Sequence, residues 1–253
     1  EEQKNIANVL TDIDSLLNGL ELLITKKSNL KKAIIQKLFT GKMRLDGFKN
    51  KWEKKQLGEI ANIFKGKALS KSSVSLSGLY QCILYGELFT VYDRVINKVV
   101  NRTDSIEGYP SVAGDVLLPG STTTVGEDLA TASALMLDNV MLGGDIVIIR
   151  CDKKICNPIF LANLITYVLK GDVYELTQGT TIHHLYGKDL KTLFLTLPSL
   201  SEQITITNII SDIDLELNKL KIRQKKIYDL KVAIIQELLT GKTRLMKSEK
   251  MNA

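Results

Sequence analysis

The sequence predicts an α+β protein in which one globular domain is flanked by two long helices that form an antiparallel coiled coil. The main observation is an internal repeat: segment 2–45 recurs at 202–245 without a gap, with about half of the aligned positions identical. Both copies carry apolar residues at seven-residue spacing, which is typical of coiled-coil helices. The segment between them has short β-rich runs separated by Gly, Ser, Thr and Asn turns, which indicates a mixed domain.

The apolar rows identify the residues expected at helix–helix or dimer contacts. In the first copy the main row is interrupted only by Lys27, and its companion row falls three residues later, at Val9, Leu16, Leu23 and Leu30. If the middle domain is compact, the helices run side by side and antiparallel, and two near-copies then have local two-fold pseudosymmetry. The predicted contact residues are Ile6, Ile13, Leu20, Leu30, Ile34, Ile206, Ile213, Leu220, Ile227 and Ile234.

Each copy ends in a Thr-Gly-Lys sequence, and Gly241-Lys242-Thr243 resembles the end of a phosphate-binding loop. Such a loop needs a second glycine five residues before the Gly-Lys pair, where this chain has Gln236. A phosphate-binding loop also follows a strand, whereas the residues before Gly241 have helical periodicity. A glycine just after the last apolar-periodic residue commonly ends a helix, so we expect helix ends at Gly41 and Gly241 rather than nucleotide binding.

The middle segment predicts strands within 114–120, 144–150 and 192–198. An amphipathic helix is expected over 157–171, with Asn157 as its N-cap and Gly171 as its stop. Ser201 is expected to cap the second long helix. The predicted organisation is a first helix over 1–45, the middle domain over 46–198, a second helix over 199–245 and a C-terminal tail over 246–253.

Composition and charge limit the class of protein. The net charge of +6 and a pI near 9.0 favour an anionic partner, nucleic acid first. No run of roughly 18 uncharged apolar residues predicts a membrane span, and the acidic N-terminus does not resemble a secretory signal, so we expect a cytoplasmic protein. Cys82, Cys151 and Cys156 are expected to be buried thiols. The last two cysteines with His183 and His184 leave only a weak zinc alternative, because a second ligand pair with knuckle spacing is missing, and no metal site is predicted.

The sequence contains only incomplete catalytic motifs. The Asn-Pro-Ile-Phe stretch at 157–160 resembles the motif with which amino-methyltransferases hold a target amine, but Ile159 replaces a proline and no glycine-rich turn for S-adenosylmethionine precedes it. No proline is followed by aspartate, as the common nuclease signature requires, and there is no nucleophile elbow or two-metal carboxylate cluster. We expect no catalytic residues and no cofactor in this chain, with a stand-alone DNA methyltransferase as an alternative.

Three loops carry side chains suited to DNA. We name them the basic loop (63–73), the hydroxyl loop (120–126) and the histidine loop (178–190). Lysine and hydroxyl groups contact phosphates, and Gln, Ser and Thr also read base edges, although each loop could instead be a solvated turn. The predicted DNA-binding residues are Lys65, Lys67, Ser70, Lys71, Ser121, Thr122, Thr123, Gln178, Thr180, Thr181, His183 and His184.

Three stretches together resemble the specificity subunits of type I restriction–modification systems. They are a helix ending in AIIQKLFTGKMRL, a domain opening with WEKKQLGEIANIFKGK, and GTTIHHLYGKDLKTLFLTLPSLSEQ leading into a second such helix. The resemblance covers essentially the whole chain and implies a target-recognition domain between two conserved spacer helices. It implies double-stranded DNA and methyltransferase subunits as partners, with the restriction or motor subunit as a further one. S-adenosylmethionine, ATP and Mg are implied for those partner subunits only.

The chain departs from the family pattern in the number of recognition domains. A full member carries two, at opposite ends of the helices, and this chain carries one. We therefore expect either the second half of a longer subunit or a half-subunit that homodimerises, and the pseudosymmetric helices favour the homodimer. The resemblance implies no fixed list of base contacts, because recognition domains read different sequences. A coiled-coil scaffold that does not read DNA is the alternative, and it would show no salt-dependent DNA binding.

Overall fold

The computed structural model describes residues 2–240, which divide into two compact units. Of these residues, 2–34 and 209–240 form one unit, and the other runs Ile35–Asn208. The first is a pair of helices and the second is a mixed α+β domain, so the predicted fold class is confirmed. The predicted domain boundaries were drawn from the sequence repeat, whereas these two units are defined by contacts between residues. The predicted boundaries therefore stay a prediction.

Two long helices and five short ones lie within the described part of the chain. The helices are α1 (Glu2–Leu38), α2 (Leu57–Ile60), α3 (Glu87–Thr90), α4 (Pro158–Tyr167), α5 (Lys170–Glu175), α6 (Gly187–Leu190) and α7 (Leu200–Leu239). The strands are β1 (Glu53–Gln56), β2 (Ala61–Lys65), β3 (Val74–Ser75), β4 (Tyr80–Ile83), β5 (Val95–Ile96), β6 (Arg102–Thr103), β7 (Tyr109–Pro110), β8 (Asp115–Pro119), β9 (Ser121–Thr122), β10 (Ser133–Leu135), β11 (Met141–Leu142), β12 (Ile146–Cys151), β13 (His183–His184) and β14 (Phe194–Leu197). None of these helices is long and apolar enough to cross a membrane.

The ion pairs between α1 and α7 define an antiparallel helix pair. They join Lys31 to Asp214, Lys27 to Glu216 and Lys231 to Asp14. As the residue number falls along α1, the number of its partner on α7 rises. The pairing therefore runs in opposite directions over most of both helices.

Two of these ion pairs reveal the pseudosymmetry of the repeat. Lys31 and Lys231 occupy equivalent positions in the two copies, and so do Asp14 and Asp214. Each copy donates its lysine to the aspartate of the other copy. A local two-fold axis that exchanges α1 and α7 accounts for both contacts at once.

The inward faces of the helices correct the predicted companion row. The buried or half-buried row in α1 contains Ile6, Leu10, Ile13, Leu17, Leu20, Ile24, Lys27, Lys31 and Ile34, and the equivalent row in α7 contains Ile206, Ile210, Ile213, Leu217, Leu220, Gln224, Ile227, Lys231 and Ile234. The companion residues thus follow the main row by four positions, not three. The leucines of the predicted companion row point away from α7, since Leu16, Leu23 and Leu30 are exposed by 45%, 40% and 58%. The role of Leu30 in a dimer or partner contact stays a prediction.

The first Thr-Gly-Lys sequence is a helix end, as predicted. Gly41 has φ of +69°, in the left-handed region that favours glycine, and the N–H of Met43 donates to the carbonyl oxygen of Lys37 at 3.0 Å. A side chain at position 41 would also approach the ring of Trp52, with a Cβ 3.5 Å from its nearest atom. The second sequence, Gly241-Lys242-Thr243, lies outside the described residues.

The predicted strands are confirmed as β8, β12 and β14; β8 and β14 lie within the expected ranges, and β12 extends one residue beyond its range, to Cys151. The predicted helix over 157–171 begins as expected, because Asn157 Oδ1 accepts from the N–H of Phe160 at 3.0 Å. The predicted end of this helix was wrong, because α4 stops at Tyr167 and Gly171 lies inside α5. The predicted cap of the second long helix was also displaced by two residues, since Ser199 Oγ accepts from the N–H of Glu202.

Two five-stranded sheets make up most of the mixed domain. One has the order β2-β12-β8-β10-β5 and the other β3-β6-β4-β11-β7, while β1 pairs with β14 and β9 pairs with β13. The central strands β8 and β12 read as near-continuous apolar runs because both of their faces are buried. The main core cluster contains Ile83, Leu88, Ile96, Val99, Leu117, Leu135, Val140, Leu142, Ile146 and Ile148.

A buried polar junction connects the first turn of α7 to the mixed domain. Glu202 is 1% exposed, and its two carboxylate oxygens accept from Nε and Nη2 of Arg44 at 2.7 and 2.8 Å. Gln203 is fully buried, and its amide accepts from the N–H of Asn157 and donates to the carbonyl oxygens of Ile155 and Pro198. Buried polar groups are tolerated when they are fully hydrogen-bonded, so this junction holds three chain segments in one geometry.

We expect Glu202→Ala to lower the free energy of unfolding by about 2–3 kcal/mol, because it leaves Arg44 without its bidentate partner. This is less than for a fully buried pair, since 29% of the Arg44 side chain is exposed. The matched control is Glu21→Ala on α1, where the side chain is exposed and the change should stay within about 0.5 kcal/mol. Urea unfolding measures both, and equal losses would contradict the role of this junction.

Candidate nucleic-acid interface

The basic loop leaves the end of β2 and lies against the turn before β12. The N–H of Gly66 donates to the carbonyl oxygen of Ile146 at 2.8 Å, and the N–H of Lys67 donates to that of Leu142 at 3.3 Å. The approach at Gly66 is so close that a Cβ there would lie 1.8 Å from the carbonyl oxygen of Gly143. The four predicted residues of this loop, Lys65, Lys67, Ser70 and Lys71, are all exposed.

The hydroxyl loop is partly buried, which separates its predicted residues into two groups. Ser121 and Thr122 form β9 and are only 7% and 8% exposed. Thr122 Oγ1 lies 2.8 Å from Thr124 Oγ1, which in turn donates to Asp128 Oδ2 at 2.7 Å. Thr123 is exposed. Burial therefore makes Ser121 and Thr122 part of the loop framework and leaves Thr123 as the predicted residue that solvent, and hence DNA, can reach.

The histidine loop is paired with the hydroxyl loop. His183 stands opposite Thr122 and His184 opposite Ser121 in the β9–β13 ladder. Gln178 closes the loop, because its N–H and carbonyl oxygen both bond to the backbone of His184. The histidines are half-buried. The remaining predicted residues of this loop, Gln178, Thr180 and Thr181, are exposed.

Asp145 joins the basic and hydroxyl loops directly, and Gly120 links them to the histidine loop. Its carboxylate lies 3.2 Å from Lys65 Nζ in the basic loop and accepts from Ser121 Oγ in the hydroxyl loop at 3.3 Å. Its carbonyl oxygen accepts from the N–H of Gly120 at 2.6 Å, and the carbonyl oxygen of Gly120 accepts from the N–H of Leu185 in the histidine loop. Asp145 has φ of +57°, a left-handed conformation that aspartate tolerates better than most residues. The three loops predicted separately from the sequence are thus adjacent: Asp145 joins the basic loop to the hydroxyl loop, and Gly120 joins the hydroxyl loop to the histidine loop.

Two clefts open on either side of the Lys65–Asp145 contact. The small cleft has a volume of about 220 Å³ and is lined by three lysines and a histidine, Lys65, Lys188, Lys191 and His184. Neither Lys188 nor Lys191 was among the residues predicted to bind DNA. Lys188 lies in α6 and Lys191 is its C-cap residue with helical backbone angles, so their three-residue spacing places both on one side of this turn, a signal that the sequence contained.

The large cleft has a volume of about 1130 Å³ and mixes basic, polar and apolar walls. One wall comes from the basic loop, with Lys65, Ser70 and Lys71. Other parts of the lining carry Glu87 and Asn101. Behind the cleft, burial raises the pKa of the Cys82 thiol to about 11, so this cysteine stays neutral and unreactive. All three cysteines are buried and free, as predicted.

An ion pair under the basic loop fixes the strands that carry it. Arg150 on β12 forms a bidentate pair with the fully buried Asp115, at 2.7 and 2.8 Å. This hydrogen-bonded carboxylate raises the pKa of Arg150, which therefore stays charged. The guanidinium also lies over the rings of Phe64 and Tyr109, and Lys67 lies over the ring of Tyr109. Among residues 2–240 no group of three or more His, Cys, Asp or Glu side chains is placed to hold a metal ion.

Comparison with known families matches residues 49–226 to the type I restriction modification DNA specificity domain. This range contains the whole interface and most of the chain. The chain belongs to this family of DNA specificity domains.

Relatives of this specificity domain support the assignment. Two type I restriction enzyme specificity subunits of Methanocaldococcus jannaschii, MjaX and MjaVIII, are 28% and 26% identical to the chain over 97% of its length. The chain spans 58% and 61% of the length of these curated relatives.

Solved structures show the same fold at low identity. The HsdS subunit of Thermoanaerobacter tengcongensis matches 95% of the chain and 57% of its own length with a TM-score of 0.60 at 16% identity. The type I restriction-modification S subunit of M. genitalium matches 94% of the chain and 60% of its own length with a TM-score of 0.58 at 17% identity. The specificity domain therefore has the fold of solved S subunits.

The close approach at Gly66 gives a prediction for the position of the basic loop. We expect Gly66→Ala to lower the free energy of unfolding by about 1–3 kcal/mol, because the new methyl group would displace the backbone of Gly143. Gly86→Ala is the matched control, since its added Cβ meets nothing within 4 Å and its φ of −63° suits alanine; its effect should stay within about 0.5 kcal/mol. Urea unfolding compares the two variants, and equal stabilities would contradict this packing.

Proposed function

We propose that the chain is a non-catalytic DNA-recognition component of a type I restriction–modification complex and reads one half of a bipartite site on double-stranded DNA in the cytoplasm. The observation that carries this proposal is that the basic, hydroxyl and histidine loops are adjacent, since Asp145 joins the first two and the β9–β13 ladder joins the last two. Membership of the DNA specificity domain family supports it.

The chemistry of the interface suits a duplex. Exposed lysines attract the phosphate backbone, and the small cleft offers Lys188 and Lys191 beside Lys65 for the same purpose. Exposed hydroxyl and amide groups on Thr123, Gln178, Thr180 and Thr181 can bond to base edges or phosphates. The positive net charge of the chain acts in the same direction.

The helix pair offers a surface for the methyltransferase subunit. An outer stripe on α1, formed by Leu16, Gly19, Leu23, Leu30 and Ala33, is exposed and follows a three-four helical spacing. In α7 the equivalent positions 216, 219 and 223 are Glu, Lys and Arg. Positions 230 and 233 are Leu and Ala, as are positions 30 and 33, so the stripe is apolar at all five positions in α1 alone. We propose that it docks an apolar helix face of the methyltransferase, which would supply S-adenosylmethionine chemistry, while ATP and Mg belong to the restriction or motor subunit.

The proposal includes a second recognition domain at the other end of the helix pair. Glu2 and Gln3 are the repeat equivalents of the junction residues Glu202 and Gln203, and both are exposed. We propose that this equivalent end of the helix pair holds a second recognition domain, supplied by a second copy of the chain in a homodimer. The inward rows of α1 and α7 pack on each other within one chain. A homodimer would therefore use surfaces outside these rows.

Co-expression with the methyltransferase subunit, followed by sequencing of methylated bases in the host DNA, tests the function. We expect methylation at one interrupted motif. A palindromic motif would support a homodimer, whereas an asymmetric one would mean that another domain reads the second half. An assembled complex that methylates nothing would contradict the proposal.

Lysine variants give this experiment an internal control. We expect Lys65→Ala and Lys188→Ala to lower methylation at all sites alike, because each removes one phosphate contact. For the same reason, each should reduce the slope of the logarithm of the DNA-binding constant against the logarithm of the salt concentration by about one unit. Lys154→Ala is the matched control, since Lys154 is exposed beyond the far end of β12 from Asp145 and should not change the slope.

The outer stripe gives a separate prediction. Leu23→Arg installs the residue that the second copy carries at the equivalent position, so folding should tolerate it to within about 1 kcal/mol. Binding of the methyltransferase subunit should weaken about tenfold or more, because a charged group would enter an apolar contact. Glu21→Arg is the control, since residues two apart on a helix do not share a face. Titration of the two purified subunits measures both, and unchanged binding by Leu23→Arg would exclude the outer stripe.

A further inference from the structure

The large cleft contains two polar side chains that a simple phosphate-binding surface does not need. Glu87 lies at the start of α3, and Asn101 precedes β6; both line the cleft that the basic loop also lines. A carboxylate beside a DNA backbone is repelled by the phosphates. Its presence is explained more simply if it acts on another protein group or on a base edge.

The contact between these side chains fixes the orientation of the asparagine amide. Asn101 Nδ2 donates to Glu87 Oε1, while Glu87 Oε2 accepts from the N–H of Leu84 at 3.0 Å. Both carboxylate oxygens of Glu87 are acceptors in these contacts, so the amide nitrogen of Asn101, and not its oxygen, faces Glu87. This leaves Oδ1 and the second hydrogen of Nδ2 for another partner.

The free edge of Asn101 is a donor and an acceptor side by side. Among residues 2–240 Asn101 Oδ1 has no hydrogen-bond partner. The backbone carbonyl oxygen of Asn101 accepts from the N–H of Cys82 at 3.0 Å, so the local fold is held by the backbone rather than by this free edge. In the major groove, adenine presents the complementary pair, the N6 donor and the N7 acceptor, and asparagine bonds to both.

Apolar residues of the same cleft fit the other base of the pair. Leu69, Val74 and Leu84 line the cleft together with Asn101. The thymine of an A·T pair presents its methyl group in the major groove, where apolar side chains contact it. The cleft therefore combines a phosphate-contacting loop, an adenine-complementary amide and an apolar wall.

We propose that the large cleft reads an A·T base pair in the major groove, with Asn101 bonding to adenine N6 and N7 and Glu87 as the positioning residue that orients the amide. This inference rests on the proposed function and names the base pair that this part of the interface selects. Glu87 acts only through Asn101 and does not touch the base.

Atom substitution in the DNA tests the inference without changing the protein. Once the methylated motif is known, each adenine of the recognised half-site is replaced in turn by 7-deazaadenine, which lacks the N7 acceptor. Duplex binding by the chain assembled with its methyltransferase subunit is then measured. We expect one position at which the substitution weakens binding about tenfold.

Variants then assign that position to Asn101. In Asn101→Ala the penalty for 7-deazaadenine at this position should disappear, because the amide that contacts N7 is gone. Glu87→Gln should shrink the same penalty while leaving overall affinity within a few-fold, since a glutamine no longer forces one amide orientation. Thr90→Ala is the control: Thr90 lines the same cleft and bonds only to its own helix turn, so the penalty should be unchanged.

The outcomes separate this inference from the proposed function. If the complex methylates a defined motif but every adenine tolerates 7-deazaadenine, or if the penalty persists in Asn101→Ala, the assignment of Asn101 is wrong and the recognition function stands. If the assembled complex shows no sequence-specific DNA binding, both fail. A penalty that disappears in Asn101→Ala, shrinks in Glu87→Gln and persists in Thr90→Ala supports both.

Discussion

The helix pair depends on the register between two nearly identical helices. Lys31 pairs with Asp214 and Lys231 pairs with Asp14, so a single antiparallel alignment satisfies both copies of the repeat. A shift of one heptad would separate both pairs, and a parallel arrangement could not form both at once. The individual ion pairs are partly exposed and each contributes little, on the order of 1 kcal/mol or less, so they select the register while the apolar inward rows supply most of the stability.

Within the mixed domain, buried polar contacts fix the positions of the chain segments relative to one another. Glu202 and Gln203 hold the first turn of α7 against Arg44 and the N-cap of α4, and Asp115 holds Arg150 beneath the basic loop. At the interface Asp145 does the same between the basic and hydroxyl loops, but its side chain is 45% exposed and its side-chain contacts are longer. Rigid, fully bonded junctions therefore lie below the surface, and a more adaptable one lies where we propose that DNA binds.

The sequence predicted the positions of the helices and strands better than it predicted which of their faces are buried. The repeat was sufficient for the two helices, and apolar runs located β8 and β12. The companion row was misassigned because the first copy is apolar at neighbouring positions, as at Leu16 and Leu17. The second copy resolves this ambiguity: it has Glu216 beside Leu217, and only the leucine is buried.

The candidate site was predictable in its parts but not in its assembly. Hydroxyl, histidine and lysine loops were recognisable from residue types. Their convergence required Asp145, an acidic residue in a basic site for which no sequence signal exists. Burial of Ser121 and Thr122 follows from the pairing of β9 with β13, two strands of two residues each, which are too short for a periodicity argument.

The most direct test of this account is hydrogen exchange of the chain assembled with its methyltransferase subunit, measured with and without duplex DNA that carries the methylated motif. The account predicts that amides in the basic, hydroxyl and histidine loops, within 63–73, 120–126 and 178–190, exchange more slowly together when DNA is bound, while those of loop 152–156 beyond the far end of β12 do not change. Protection confined to that loop, or to only one of the three loops, would contradict the claim that they form one DNA-reading surface.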